Sequence, residues 1–214
     1  MKDRITGWPI PKSEVDNLSL REELILATHR NEEQQQQITN LCRKSPLFWI
    51  NLFAWTFNVK SVNDDGVEIP SETQHVPFIT WPVQDDAFMK LYHAVEGGSD
   101  ALVDKSRDMG ASWICITLAT WYWLFSPNSQ VLLVSRVEDL VDRRGDPDTL
   151  MWKIDYLLEN IPDWMLPGSR ALFERGGDCR THLQLVNPKT NSTISGQATT
   201  GHVGRGGRRT FVLF

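Results

Sequence analysis

The chain has 214 residues, 41% of them hydrophobic, and a net charge of −5. That is length and apolar content enough for one substantial core, and the acidic balance argues against a constitutive nucleic-acid binder. The apolar segments Leu47–Phe57 and Trp113–Phe125 are too short to cross a bilayer, so no membrane role is expected, and no apolar signal-peptide core follows Met1-Lys2-Asp3-Arg4.

Cys42, Cys115 and Cys179 are an odd count, far apart and in no C-x-x-C pair. Reduced thiols in a cytosol are expected, rather than a zinc site. Charge is unevenly placed: residues 165–214 carry +5 and residues 1–164 carry −10. The basic third either faces phosphates or forms a solvated surface; charge alone favours the second.

In chain order, residues 1–12 hold two Pro and a Gly and form a loose leader. Ser13 to about Lys44 is expected to be helical, an appendage in the form of a hairpin. Ser13 and Asp16 make a weak capping box, and Leu18, Leu20, Leu24, Ile25, Ile38 and Leu41 make a partial apolar stripe. The aromatic run Pro46–Trp55 is helical in length and lacks the interleaved cations of a base-stacking surface, so it is assigned to the core. Asn63-Asp64-Asp65-Gly66 marks a turn. Val76–Gln84 leads in extended form to a helix over Asp85 to about Val95, with Pro82 suited to its first turn, and Gly97-Gly98 ends that helix.

A strand is expected over 101–104, a loop over 105–111 and a helix over 112–125. Gln130–Ser135 has the composition of a buried strand. Asp146-Pro147-Asp148 caps a helix running to Asn160. His182–Val186, Ser192–Ser195 and Thr210–Phe214 are short strands. Strand–helix–strand–helix order implies an α/β fold with a mostly parallel sheet and crossover helices.

The most informative stretch is Asp104-Lys105-Ser106-Arg107-Asp108-Met109-Gly110-Ala111-Ser112. A strand, a turn ending in Gly-x-Ser and a helix is the context of a phosphate-binding loop. Laid on the pattern G-x-x-x-x-G-K-[ST], Lys105 takes the first Gly position, Gly110 keeps the second, Ala111 replaces the Lys and Ser112 keeps the hydroxyl. A triphosphate needs curled backbone N–H groups, a nearby cation and a hydroxyl for magnesium. Gly110, the following helix N-terminus, Lys105 with Arg107, and Ser112 supply these in turn, so ATP and Mg2+ are the expected ligands.

From about Ser45 to Phe214 the chain resembles the ATPase domain of the large terminase subunit of tailed bacteriophages. The resemblance rests on Phe78-Ile79-Thr80-Trp81-Pro82-Val83-Gln84, on Lys105–Ser112 and on Val131-Leu132-Leu133-Val134-Ser135-Arg136. Leu140-Val141-Asp142 and the stretch Leu158–Pro167 extend it, as does Gly204-Arg205-Gly206-Gly207-Arg208-Arg209 leading into Thr210–Phe214.

The resemblance implies a P-loop NTPase-type three-layer αβα domain over 45–214, preceded by a helical appendage over 1–44. It implies that Gln84 reads adenine, that Lys105 and Arg107 neutralise phosphates, and that Arg107 doubles as a catalytic finger. Backbone of Asp108, Met109, Gly110, Ala111 and Ser112, next to Ser106, would cradle the phosphates, with Ser112 on magnesium. Arg136 and Arg205 are weaker candidates for the γ-phosphate. Alternatives stand beside these roles: Gln84 as a helix cap, Asp108 as a loop stabiliser, Gly204–Arg209 as a surface loop. His182 and His202 receive no role.

The implied function is the ATP-driven part of a DNA-packaging motor. Its partners would be double-stranded viral DNA, the portal protein, the small terminase subunit and copies of itself in a ring. It would work in the cytoplasm of an infected bacterium, transiently at the procapsid portal. In that family an Asp-Glu pair and a nuclease domain follow the strand that ends here at Phe214. The expectation is therefore a partial ATPase domain that hydrolyses poorly alone. A helicase-like ATPase and a non-catalytic assembly module with a degenerate nucleotide pocket are the alternatives.

Overall fold

The computed structural model describes residues 2–3, 5–58, 74–106, 109–199 and 207–214. The turn expected at 63–66, Arg107, Asp108, His202, Arg205 and the rest of 204–206 lie outside the described residues.

The chain opens with three helices, α1 (Glu14–Thr28), α2 (Glu32–Lys44) and α3 (Pro46–Phe53). Each starts on a polar cap whose side-chain oxygen accepts a first-turn amide: Ser13 from Asp16, Asn31 from Gln34 and Ser45 from Phe48, the last with Pro46 in the first turn. Leu24, Ile38 and Cys42 enter the same core as Phe48, Trp49, Ile50 and Phe53. The aromatic run is helical only to Phe53. Trp55–Phe57 leaves the helix as β1 and pairs antiparallel with β2 (His75–Pro77).

Helices α4 (Pro82–Glu96) and α5 (Ala111–Phe125) follow. Between them the expected strand is absent: residues 101–106 form no strand, and Leu102 and Val103 are 95% and 41% exposed. Three apolar residues gain nothing from an extended shape unless a neighbouring strand satisfies their backbone, and no described strand lies against them.

The main sheet has the order β4 (Arg180–Thr181), β5 (Gln184–Val186), β6 (Thr193–Ala198), β3 (Gln130–Ser135) and β7 (Phe211–Leu213). The expected mostly parallel sheet is corrected to a mixed one. β3 is parallel to both β6 and β7, whereas β4, β5 and β6 form an antiparallel meander. The cause is local. Only His182 and Leu183 separate β4 from β5, with Leu183 at φ 57°, and a link that short can only join antiparallel strands. β3 lies inside, with Val131 to Val134 all buried, as a central strand requires.

Short α6 (Glu138–Val141) precedes α7 (Leu150–Glu159). α7 begins later than Asp146 because Asp146-Pro147-Asp148 is spent on a turn. The Asp146 carboxylate accepts the Asp148 N–H at 3.0 Å, and the Asp146 carbonyl accepts the Thr149 N–H at 3.2 Å.

α5 is the packing axis, buried at Ile114 and continuously from Ile116 to Phe125. Its C-terminal half is fastened on two sides. Trp121 Nε1 donates to the Cys42 carbonyl at 2.9 Å, and Asn187 Nδ2 donates to the Trp123 carbonyl at 2.8 Å.

Behind α7 lies a buried ion cluster. Arg180, with no exposed side-chain surface, donates through Nε to Asp155 at 2.6 Å and through Nη1 to Asp142 at 3.1 Å. Asp142 is equally buried, pairs also with Arg175 and accepts the Leu183 N–H at 2.7 Å.

Candidate functional site

The first turns of α4 and α5 meet at one junction. α4 is fixed from below by a buried polar knot. Lys12 Nζ donates to Asn51 Oδ1 at 2.9 Å, to the Thr80 carbonyl at 2.8 Å and to Asp85 at 3.0 Å. Asn51 accepts the Thr80 N–H at 3.1 Å, and the Thr80 hydroxyl donates to Asp85. Burial lowers the ammonium pKa of Lys12, and Asp85 works against that shift. The knot ties the leader, α3 and the first turn of α4 together, and so sets the place of Gln84.

Gln84 is 8% exposed and both ends of its side-chain amide are in use. Its Oε1 accepts the Trp81 N–H at 2.9 Å, capping α4. Its Nε2 donates to the Met109 carbonyl at 3.0 Å. The helix-capping alternative is therefore part of what Gln84 does, and the same side chain reaches the loop before α5. One amide hydrogen and one oxygen lone pair remain beyond these two bonds.

Gly110 follows as the N-cap of α5, at φ 71°. A Cβ there would sit 3.0 Å from Gln84 Nε2 in a left-handed conformation, so glycine meets both a backbone and a contact requirement. No side chain caps α5. Its first intrahelical bond runs from the Ile114 N–H to the Gly110 carbonyl at 3.0 Å, and the amides of Ala111, Ser112 and Trp113, at the positive end of a 15-residue helix, donate to no described residue. Ser112 is exposed. Open amides of this kind can hold an anion.

Of the expected site residues, the structure brings together Gln84, Met109, Gly110, Ala111 and Ser112. Asp104, Lys105 and Ser106 lie on the exposed segment before them, where Lys105 forms no ion pair with any described residue. Arg107 and Asp108 fall outside the described residues. Arg136 is exposed just past β3. Among the described residues no group of three or more His, Cys, Asp and Glu could hold a metal, so at this junction the Ser112 hydroxyl is the side-chain ligand to consider for magnesium.

Two features escaped the sequence reading. Trp81 and Val83 flank Gln84 and are 57% and 58% exposed, unusual for large apolar side chains. Their signal was Pro82: a helix that begins there leaves residues 81 and 83 on its open end. The Lys12 knot carried no signal, because its members are scattered over residues 12, 51, 80 and 85.

No helix among the described residues is long and apolar enough to cross a membrane. No protein-family model matches the chain, and a search of curated proteins finds no match.

Proposed function

We propose that the junction of α4 and α5 binds a nucleoside triphosphate with magnesium, as part of a DNA-packaging ATPase of the large-terminase type. The observation that carries this reading is the Gln84 amide, which links the first turn of α4 to the Met109 carbonyl immediately before a left-handed glycine and an uncapped helix. The open amides of Ala111, Ser112 and Trp113 receive phosphate oxygens. Lys105 supplies the cation that Ala111 lacks, and the Ser112 hydroxyl faces the metal. The unused donor and acceptor of Gln84 match the N7 and N6 edge of adenine, and Trp81 offers an exposed ring beside it. Bound magnesium would neutralise phosphate charge; these residues bind and orient. In this reading the partners are double-stranded viral DNA, the portal protein, the small terminase subunit and further copies in a ring, in the cytoplasm of an infected bacterium.

The absence of a strand at 101–106 favours a second reading, an assembly module whose nucleotide pocket is degenerate. Isothermal titration with a magnesium-bound, non-hydrolysable ATP analogue separates the two. The first reading expects saturable heat that is abolished in Lys105→Glu and weakened in Ser112→Ala. Heat that is absent in the wild type, or unchanged in Lys105→Glu, rejects it.

A further inference from the structure

Away from that junction a cleft of about 240 Å³ opens between the α6–α7 loop, the outer face of α7 and the turn at 173–175. Trp152 and Phe173 form its apolar wall, and Arg143, Arg144, Asp155, Glu159, Glu174 and Arg175 supply its charged lining. We infer that this cleft receives one arginine or lysine side chain of a partner protein.

The sign follows from which rim charges are already spent. Arg143 is paired with Asp146 and Arg175 with Asp142. Asp155 gives both oxygens to Arg180, at 2.6 and 2.9 Å. The carboxylates of Glu159 and Glu174 form no ion pair or hydrogen bond with any described residue, and among the cationic side chains of the lining only Arg144 is similarly uncommitted. Two carboxylates thus outnumber one guanidinium. Partial burial, and then the nearby charge of Asp155, raises the carboxyl of Glu159 above its ordinary range; Arg170, itself paired with Asp163, only partly opposes this, so an arriving cation is stabilising there.

The size sets the class. The volume is below the roughly 300–1,000 Å³ of sites for drug-sized ligands, and it suits one long side chain. An arginine or lysine has an apolar stem for Trp152 and Phe173 and a charged head for Glu159 and Glu174.

The test is titration of the whole chain with N-acetyl-arginine amide, followed by the indole resonance of Trp152, which a Trp152→Phe variant identifies. Two comparison probes are used: the citrulline analogue, equal in shape and neutral, and N-acetyl-glutamate amide. The arginine probe should shift the Trp152 resonance saturably. The citrulline probe, and the Glu159→Gln, Glu174→Gln double variant, should each weaken binding about tenfold. Both substitutions are on the rim, so the melting temperature should not change, and Arg144→Gln should not weaken arginine binding. The inference is overturned if arginine produces no shift, if citrulline binds equally well, or if the glutamate probe binds better and loses its binding in Arg144→Gln.

Discussion

The cluster behind α7 and the junction of α4 with α5 handle charge in opposite ways. Arg180 is fully buried and answered on two sides by carboxylates. Lys105 and Ser112 are exposed, and the first amides of α5 are capped by no described side chain. A charge taken out of water must be matched or it destabilises the chain, whereas polar groups left at the surface cost little and stay available. The first arrangement is what rigidity requires and the second is what a ligand requires.

The contrast is broken most sharply by Arg180→Met. It strands Asp155 and removes one of two arginines from Asp142, and should cost about 3–5 kcal/mol in urea denaturation. A loss below about 1 kcal/mol would mean that the cluster is not under tension of this kind. Acidification probes the same cluster. Burial pushes the Asp142 carboxyl up, but hydrogen bonds from Arg180, from the Leu183 amide and from Arg175 override it and hold the group at about 2, against an ordinary 3.8. A depressed carboxylate stabilises the folded chain above its ordinary value and loses that contribution as pH falls from about 4 through 2, a loss on the order of 2 kcal/mol. Asp155 is shifted upward, chiefly by burial, and contributes with the opposite sign. Asp155→Asn should therefore steepen the acid loss, as followed by circular dichroism against pH.

The junction should respond more mildly. Gly110→Ala places a side chain in a left-handed conformation and against Gln84. It should cost about 1–2 kcal/mol in thermal melts and weaken any nucleotide affinity as well. Gln84→Ala removes a cap and one bridge, for about 1 kcal/mol. If it costs nothing, the Gln84 bridge to Met109 does not hold the loop.

Elements whose cause is local were legible in the sequence. β3 occupies the expected 130–135, α5 begins one residue from the expected place, and the helix after Pro82 is three residues longer at its start than expected. Apolar runs bounded by Pro, Gly and Ser specify such elements without distant help. The segment 101–104 looked like a strand by composition, yet a strand exists only beside a partner, and its sequence does not encode one. Of the meander, β5 and β6 were visible as strands, but β4 was not, nor was the antiparallel order, because the expected strand over 182–186 took in the two residues at 182 and 183 that make the turn. Within the site, Gly110 and Gln84 stood out because each belongs to a short motif. Their contact, and the Lys12 knot beneath it, arise from packing between segments far apart in the chain.

The central place of β3 has a consequence for how the molecule acquires its shape. Gln130 is aligned with Thr193 and Val131 with Phe211, 63 and 80 residues further on. During synthesis the most apolar strand is made well before either neighbour, and both long loops must close before its amides are satisfied. Such non-local pairing is slow. The three N-terminal helices close over short distances and can collapse early. Refolding should therefore show helical signal arriving ahead of the sheet, with an interval in which β3 is vulnerable to association with other chains.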